Sequence, residues 1–95
     1  MKRQVESSPA FERSLRRYLK KHPEAAETVA EAISKLGADA YTQELGIHKL
    51  KGNLSGILSA ELAYDLRLLF EIETRGTAEV VLLLKLGTHD EVYGK

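Results

Sequence analysis

The stretch that decides the fold is 64-YDLRLLFEIETRGTAEVVLLLKLG-87. Its first part alternates: Leu66, Leu68, Phe70 and Ile72 fall on one face of an extended chain, and Asp65, Arg67, Leu69 and Glu71 on the other. Successive strand side chains point to opposite faces, so this is the pattern of a half-buried strand. "TRGT" (74–77) reads as a turn, with Gly76 free to adopt positive φ. "EVVLLLKLG" (79–87) is apolar on both faces until Lys85, as expected of a central strand. Two strands joined by so short a connection form an antiparallel hairpin.

Working outward, "GILSAELA" (56–63) is a shorter strand, and "ADAYTQELGIHKLKGNLSG" (38–56) is a polar, loop-like segment. Two helices precede it. In "SSPAFERSLRRYLKKHP" (7–23), Ser8 is a good N-cap and Pro9 suits the first helical position. Phe11, Leu15, Tyr18 and Leu19 form its apolar face, and basic residues cover much of the rest. In "PEAAETVAEAISKLG" (23–37), Pro23 and Glu24 open the helix and Gly37 closes it, with Ala26, Val29, Ala30, Ile33 and Leu36 lining one face. "RQVES" (3–7) has the alternation of an opening edge strand. The order β-α-α-β-β-β predicts an α+β fold, an N-terminal strand and a helical hairpin packed on one face of a small antiparallel sheet. Residues 1–95 form a single domain.

Composition narrows the function. The chain has no cysteine, which leaves no disulfide framework and no thiolate metal site. No basic-then-apolar leader is visible, and "VVLLL" is far too short to span a membrane, so a cytoplasmic protein without membrane contact is expected. Net charge is zero, but unevenly spread: residues 1–22 carry seven Lys/Arg against two Glu, and residues 23–46 one Lys against five Asp/Glu. A nucleic-acid binder normally has a basic total, so any such binding rests on a local patch.

The ionisable residues gather late in the chain. The apolar strand ends at Gly87 and delivers His89, Asp90, Glu91 and Tyr93 at once. Loops held by a rigid scaffold are favoured places for catalytic groups. Strand parity puts Asp65 and Arg67 on one face, turned away from the helices, where they could equally form an ordinary surface ion pair. His48 lies in the loop before the strands, Glu61 is an exposed strand carboxylate, and His22, next to Pro23, reads as structural. "THDE" (88–91) offers metal ligands, but no HExxH-type spacing fixes two on one element, and no metal or other cofactor is expected.

Taken together, "HKLKG" (48–52), "DLRLLFEI" (65–72) and "GTHDEVY" (87–93) resemble the RelE/ParE superfamily of bacterial type II toxins, and among them the RelE and YafQ-type branches. The likeness is strong over residues 48–93, while the helical pair agrees in pattern and length. It implies a RelE-like fold and a ribosome-dependent, metal-independent mRNA endonuclease that inhibits translation. The implied partners are mRNA in the ribosomal A site, the ribosome and a cognate antitoxin. Carried over residue by residue, the catalytic group is His48, Asp65, Arg67, His89 and Tyr93, with Lys49, Lys51, Glu61 and Lys85 as substrate-binding groups. Glu61 stands where YafQ-like sequences show a further histidine, and Leu66 where they show an aromatic. The alternatives within the fold are a ParE-like gyrase poison and a catalytically inactive toxin. The chemistry suits the residue types. Attack by the 2′-hydroxyl of RNA needs a base, an acid for the departing 5′-oxygen and a cation for the phosphorane. Histidine and arginine supply these, and an aromatic can stack on a base.

Overall fold

The computed structural model describes residues 3–93. The chain runs β1 (Gln4–Ser7), α1 (Pro9–Lys21), α2 (Ala26–Ala38), β2 (His48–Lys49), β3 (Leu58–Ala63), β4 (Leu66–Arg75), β5 (Ala78–Gly87) and α3 (His89–Tyr93). The strands form one sheet in the order β1-β5-β4-β3-β2. The expected α+β architecture holds, with two differences. The sheet is mixed rather than purely antiparallel, because β1 runs parallel to β5 and covers its free edge. It also has a fifth strand, the two residues His48 and Lys49, which pair with Ser59 and Leu58 inside a segment too polar to read as a strand.

Both helices follow an i, i+3, i+4, i+7 stripe, the spacing that puts side chains on one helical face. On α1 it is Phe11, Ser14, Leu15 and Tyr18, begun by Ser8, whose Oγ accepts from Phe11 N at 3.0 Å. On α2 it is Val29, Ala32, Ile33 and Leu36. Ala26 and Ala30, expected on that face, are exposed. Alanine is a weak marker of burial, and Ala32 takes the place instead. These stripes pack on Leu58, Ala60, Leu66, Leu68, Phe70, Val81, Leu83 and Leu86 of the sheet. The other face of the sheet, free of α1 and α2, is its open face.

The parity of β5 carries a constraint. Val81 and Leu83 face the helices, so strict alternation would drive Lys85 into the core as well. A bulge prevents this: Phe70 pairs with Leu83 but Leu69 with Lys85, so Leu84 is an extra residue. Parity resets, Leu86 returns to the core, and Lys85 lies opposite Leu69 on the open face. Helix α1 stitches the irregular backbone. The hydroxyl of Ser14 accepts from Leu86 N at 2.9 Å and donates to Phe11 O at 2.8 Å. Ser8 N donates to Leu83 O at 3.0 Å. A buried amide left unpaired at the bulge would be costly, which accounts for a serine at 5% exposure on the apolar stripe of α1.

The β4–β5 turn uses Gly76 at φ 63°, as its sequence predicts. The β3–β4 connection is tighter than the alternation of "YDLRLL" suggests. Ala63 pairs with Leu66, leaving a two-residue turn of Tyr64 and Asp65. Asp65 has φ 55°, a left-handed conformation that short polar side chains tolerate. Asp65 is therefore not a strand residue sharing a face with Arg67.

Candidate active site

Register alone assembles most of the site. Paired residues of neighbouring strands share a face, so His48, Ser59, Leu69 and Lys85 form one row across β2, β3, β4 and β5. Glu61, Arg67 and Gly87 form the next row. Both rows lie on the open face, because the residues that alternate with them are core residues. The diagonal between the rows is in contact: His48 Nε2 lies 3.3 Å from Glu61 Oε2. Arg67 Nη1 donates to Ala63 O at 3.4 Å. Among the described residues no carboxylate lies within ion-pair distance of Arg67 or Lys85.

The chain then turns over the end of the sheet. Thr88 and Glu91 form a reciprocal cap on α3: Glu91 Oε1 accepts from Thr88 N at 2.9 Å and Thr88 Oγ1 from Glu91 N at 3.2 Å. Gly87 leaves room for it, since a Cβ there would come within 2.7 Å of Glu91 Oε1 and 3.1 Å of its Cβ. A second acceptor comes from the β3–β4 turn, where Asp65 Oδ1 receives His89 N at 3.0 Å. Asp65 thus holds the backbone that carries His89. The His89 ring meets Tyr93 edge-on, with centroids 4.5 Å apart, and its Nδ1 is 3.4 Å from Asp90 Oδ1. Tyr93 donates its hydroxyl to Ser59 Oγ at 2.8 Å, which seats α3 over the His48–Ser59 row. Tyr18, packed against the core, lies near the same corner. Its hydroxyl pKa is raised by burial and then by the nearby carboxylates Glu24, Glu91 and Asp65.

A cleft of about 390 Å³ opens here, lined by Glu61, Tyr64, Asp65, Arg67 and His89 among others. Of the residues expected at the site, Glu61, Asp65, Arg67 and His89 line the cleft, His48 joins through Glu61, and Tyr93 through His89. Lys85 shares the face one row away. Lys49 does not join: it pairs with Leu58, a core-face residue, and borders a separate depression with Tyr41 and Ile72. Lys51 sits exposed just ahead of a short 3-10 turn, Gly52–Leu54. Tyr64 and Ser59 also stand here, although the sequence does not single them out. Ser59 alternates with apolar Leu58 and Ala60, a signal that places it on the open face. The alternation of "YDLRLL" makes Tyr64 read as the first residue of a strand. Among the described residues no three His, Asp or Glu side chains converge as metal ligands would.

Residues 3–94 match the family described as bacterial toxin of type II toxin-antitoxin system, YafQ. The chain belongs to this family. Solved structures agree in fold. YafQ from E. coli strain BL21(DE3) superimposes with a TM-score of 0.79 at 16% identity, covering 97% of this chain and 99% of that one. A metal-bound toxin from Helicobacter pylori gives 0.77 at 24% identity, over 97% and 99%. The toxin–antitoxin complex RelBE2 from Mycobacterium tuberculosis gives 0.73 at 21%, over 94% and 100%. A search among proteins of curated function finds no significant match. The RelE/YafQ assignment and the fold inferred from "HKLKG", "DLRLLFEI" and "GTHDEVY" thus agree with the whole-chain match. Among the described residues no helix is long and apolar enough to cross a membrane.

Proposed function

We propose that this YafQ-family toxin is an mRNA endoribonuclease that cuts message on the ribosome by internal attack of a 2′-hydroxyl. The observation that carries the reading is the pairing state of the cleft. Among the described residues it sets a guanidinium with no carboxylate in ion-pair distance between two imidazoles that each have one, His89 with Asp90 and His48 with Glu61 of the neighbouring strand. Arg67 is the phosphate ligand, since its planar fork suits two phosphoryl oxygens as charge builds on the phosphorane. His48 is the base. Its Nε2 faces Glu61, which leaves Nδ1 to take the 2′-hydroxyl proton, and the carboxylate stabilises the imidazolium that forms. His89 is the acid. The bond from the 2′-oxygen to phosphorus forms, the bond to the 5′-oxygen breaks, and His89 protonates that oxygen. The products carry a 2′,3′-cyclic phosphate and a 5′-hydroxyl, and no metal is used. Asp65 and Tyr93 hold α3 in place, and Lys85 adds positive charge beside the phosphate path.

The partner in restraint is a cognate antitoxin, as in the RelBE2 complex. The exposed basic surface of α1, where Arg13, Arg16, Arg17 and Lys20 border a shallow groove, suits an acidic antitoxin segment. The cytoplasm, where ribosomes and antitoxin are found, is the proposed compartment. With zero net charge the chain has little long-range attraction for RNA, so the ribosome supplies positioning. The test compares ribosome-bound mRNA with the same RNA free in solution. Cleavage on the ribosome should be faster by at least about 10²-fold, within the range that positioning contributes. Equal rates would indicate a free-standing ribonuclease, and no cleavage of either would indicate a toxin that acts by binding.

A further inference from the structure

Tyr64 forms the tip of the β3–β4 hairpin with a relative exposure of 101%, against 52% for Tyr41, the other large exposed hydrophobic. The rest of the described chain covers none of it. Yet it is not set on an idle surface, because it borders the same cleft as Glu61, Arg67 and His89. The other aromatics nearby are committed. Tyr93 is tied to Ser59 by its hydroxyl and to His89 by its ring edge, and Tyr18 stacks on His22 with centroids 4.5 Å apart. Leu66 is 2% exposed in the core and can meet no ligand.

We infer that Tyr64 is a stacking platform for a nucleobase of single-stranded RNA whose phosphate lies on Arg67, an inference that rests on the proposed endonuclease reading. Three features carry it. The ring is presented by a two-residue turn, the shortest of connections, so its backbone has little freedom. That turn is anchored, since the Asp65 carboxylate receives His89 N. And the Arg67 guanidinium bonds Ala63 O, the carbonyl immediately before Tyr64, so the cation is held at the base of the turn that carries the ring, and both border the same cleft. An aromatic ring beside a phosphate-binding cation is the usual pairing in single-strand recognition. A solvated tyrosine ring at a hairpin tip offers the fold nothing in the free protein. Stacked on a base, its face is covered while the hydroxyl stays in water.

The chain contains no tryptophan, so Tyr64→Trp introduces a sole indole as a fluorescence reporter. With the wild-type chain as the blank, it is titrated on ribosomes carrying a 2′-O-methylated mRNA, which cannot be cut, and on ribosomes whose mRNA lacks the bases of the A-site codon. Stacking predicts saturable quenching by the first and none by the second. In parallel, ribosome-bound mRNA is cleaved under single-turnover conditions at varied toxin concentration. Tyr64→Leu should raise the half-saturating concentration by about 5- to 150-fold, the range for a lost base stack, with the maximal rate unchanged and Tyr64→Phe close to wild type. Full exposure means that neither variant disturbs the core. Absence of quenching by the base-bearing RNA, or wild-type half-saturation for Tyr64→Leu, overturns the platform, as does a Leu variant impaired only in antitoxin binding. Quenching retained by a toxin that cleaves no RNA on ribosomes would remove the endonuclease reading and leave the platform standing.

Discussion

The two ends of the sheet use the same kinds of side chain in opposite ways. At the β4–β5 turn end, every arginine is answered. Arg75 bonds Glu73 at 2.6 Å and Glu6 at 2.8 Å, and Arg3 bonds Glu79 at 2.8 Å. Those hydrogen bonds, to Glu6 first and then Glu73, raise the pKa of Arg75 and fix it as a cation. At the other end Arg67 has a single long hydrogen bond to a carbonyl, and Lys85 faces Leu69. One end closes its charges on itself and joins β1 to the hairpin. The other leaves charge unanswered beside two histidines. That Arg67 is left without a carboxylate where Arg75 has two supports its proposed part as the ligand of an arriving phosphate.

The strongest way to break the contrast is Arg67→Ala. Loss of a cation at the developing phosphorane should cut single-turnover cleavage by at least about 10²- to 10³-fold. The thermal midpoint should move little, because the side chain gives the fold a single long hydrogen bond, to Ala63 O at 3.4 Å. A folded Arg67→Ala protein that still cleaves ribosome-bound mRNA would show that the unanswered charge has no catalytic meaning.

His89→Gln comes next. Glutamine can hydrogen-bond but cannot transfer a proton at neutral pH, so cleavage should fall by about 10²-fold or more. Ribosome affinity should be little changed. Residual product should still end in a 2′,3′-cyclic phosphate, which mass spectrometry of the cleaved fragment detects. Full activity in this variant would leave the Glu61–His48 pair as the only imidazole-based proton path at the cleft.

The contrast between the two ends was only partly legible in the sequence. The hairpin was, because alternation in "LRLLFEI" and the Gly76 turn are local signals with fixed geometry. The first-helix cap at Ser8 and Pro9 was legible for the same reason. The bulge at Leu84 was not, since five apolar residues in a row carry no parity. Only a lysine at position 85 hints that the alternation must reset. The parallel pairing of β1 with β5 joins residues 76 apart, which no local pattern encodes. His48, Arg67 and His89 stand out in the sequence as residue types, but their grouping comes from register and from α3 folding back. The role of Asp65 differs most. Strand alternation assigns it to the face of Arg67, whereas a left-handed turn sends its carboxylate to the amide of His89.

Asp65 therefore gives a finer test of how the open end is held. Asp65→Ala removes one of the acceptors at the start of a five-residue helix, at a cost of about 1 kcal/mol for a lost cap. The His89 ring should lose its fixed position, and the maximal cleavage rate should fall by roughly fivefold, the Boltzmann weight of such a cost. Asp65→Asn keeps an acceptor oxygen and should stay within about twofold of wild type. A carboxylate that itself transferred a proton would behave otherwise, with asparagine as damaging as alanine. The pair of variants thus separates positioning from acid–base chemistry.

The smallest expected effect belongs to the answered end. Arg75→Gln breaks the contacts to Glu73 and Glu6 and leaves both carboxylates in water, where they are readily hydrated. Exposed ion pairs contribute little, so cleavage should remain within about twofold of wild type. What should change is the tie between β1 and the hairpin. The thermal midpoint should drop slightly at low salt, and the difference from wild type should shrink as salt screens the pairs. Salt-dependent melting of the two proteins, measured beside their cleavage rates, checks both parts. If Arg75→Gln slowed cleavage as much as Arg67→Ala, the distinction between answered and unanswered arginines would fail. The cleft would then owe its activity to the shape of the whole sheet rather than to the charge left open at one end of it.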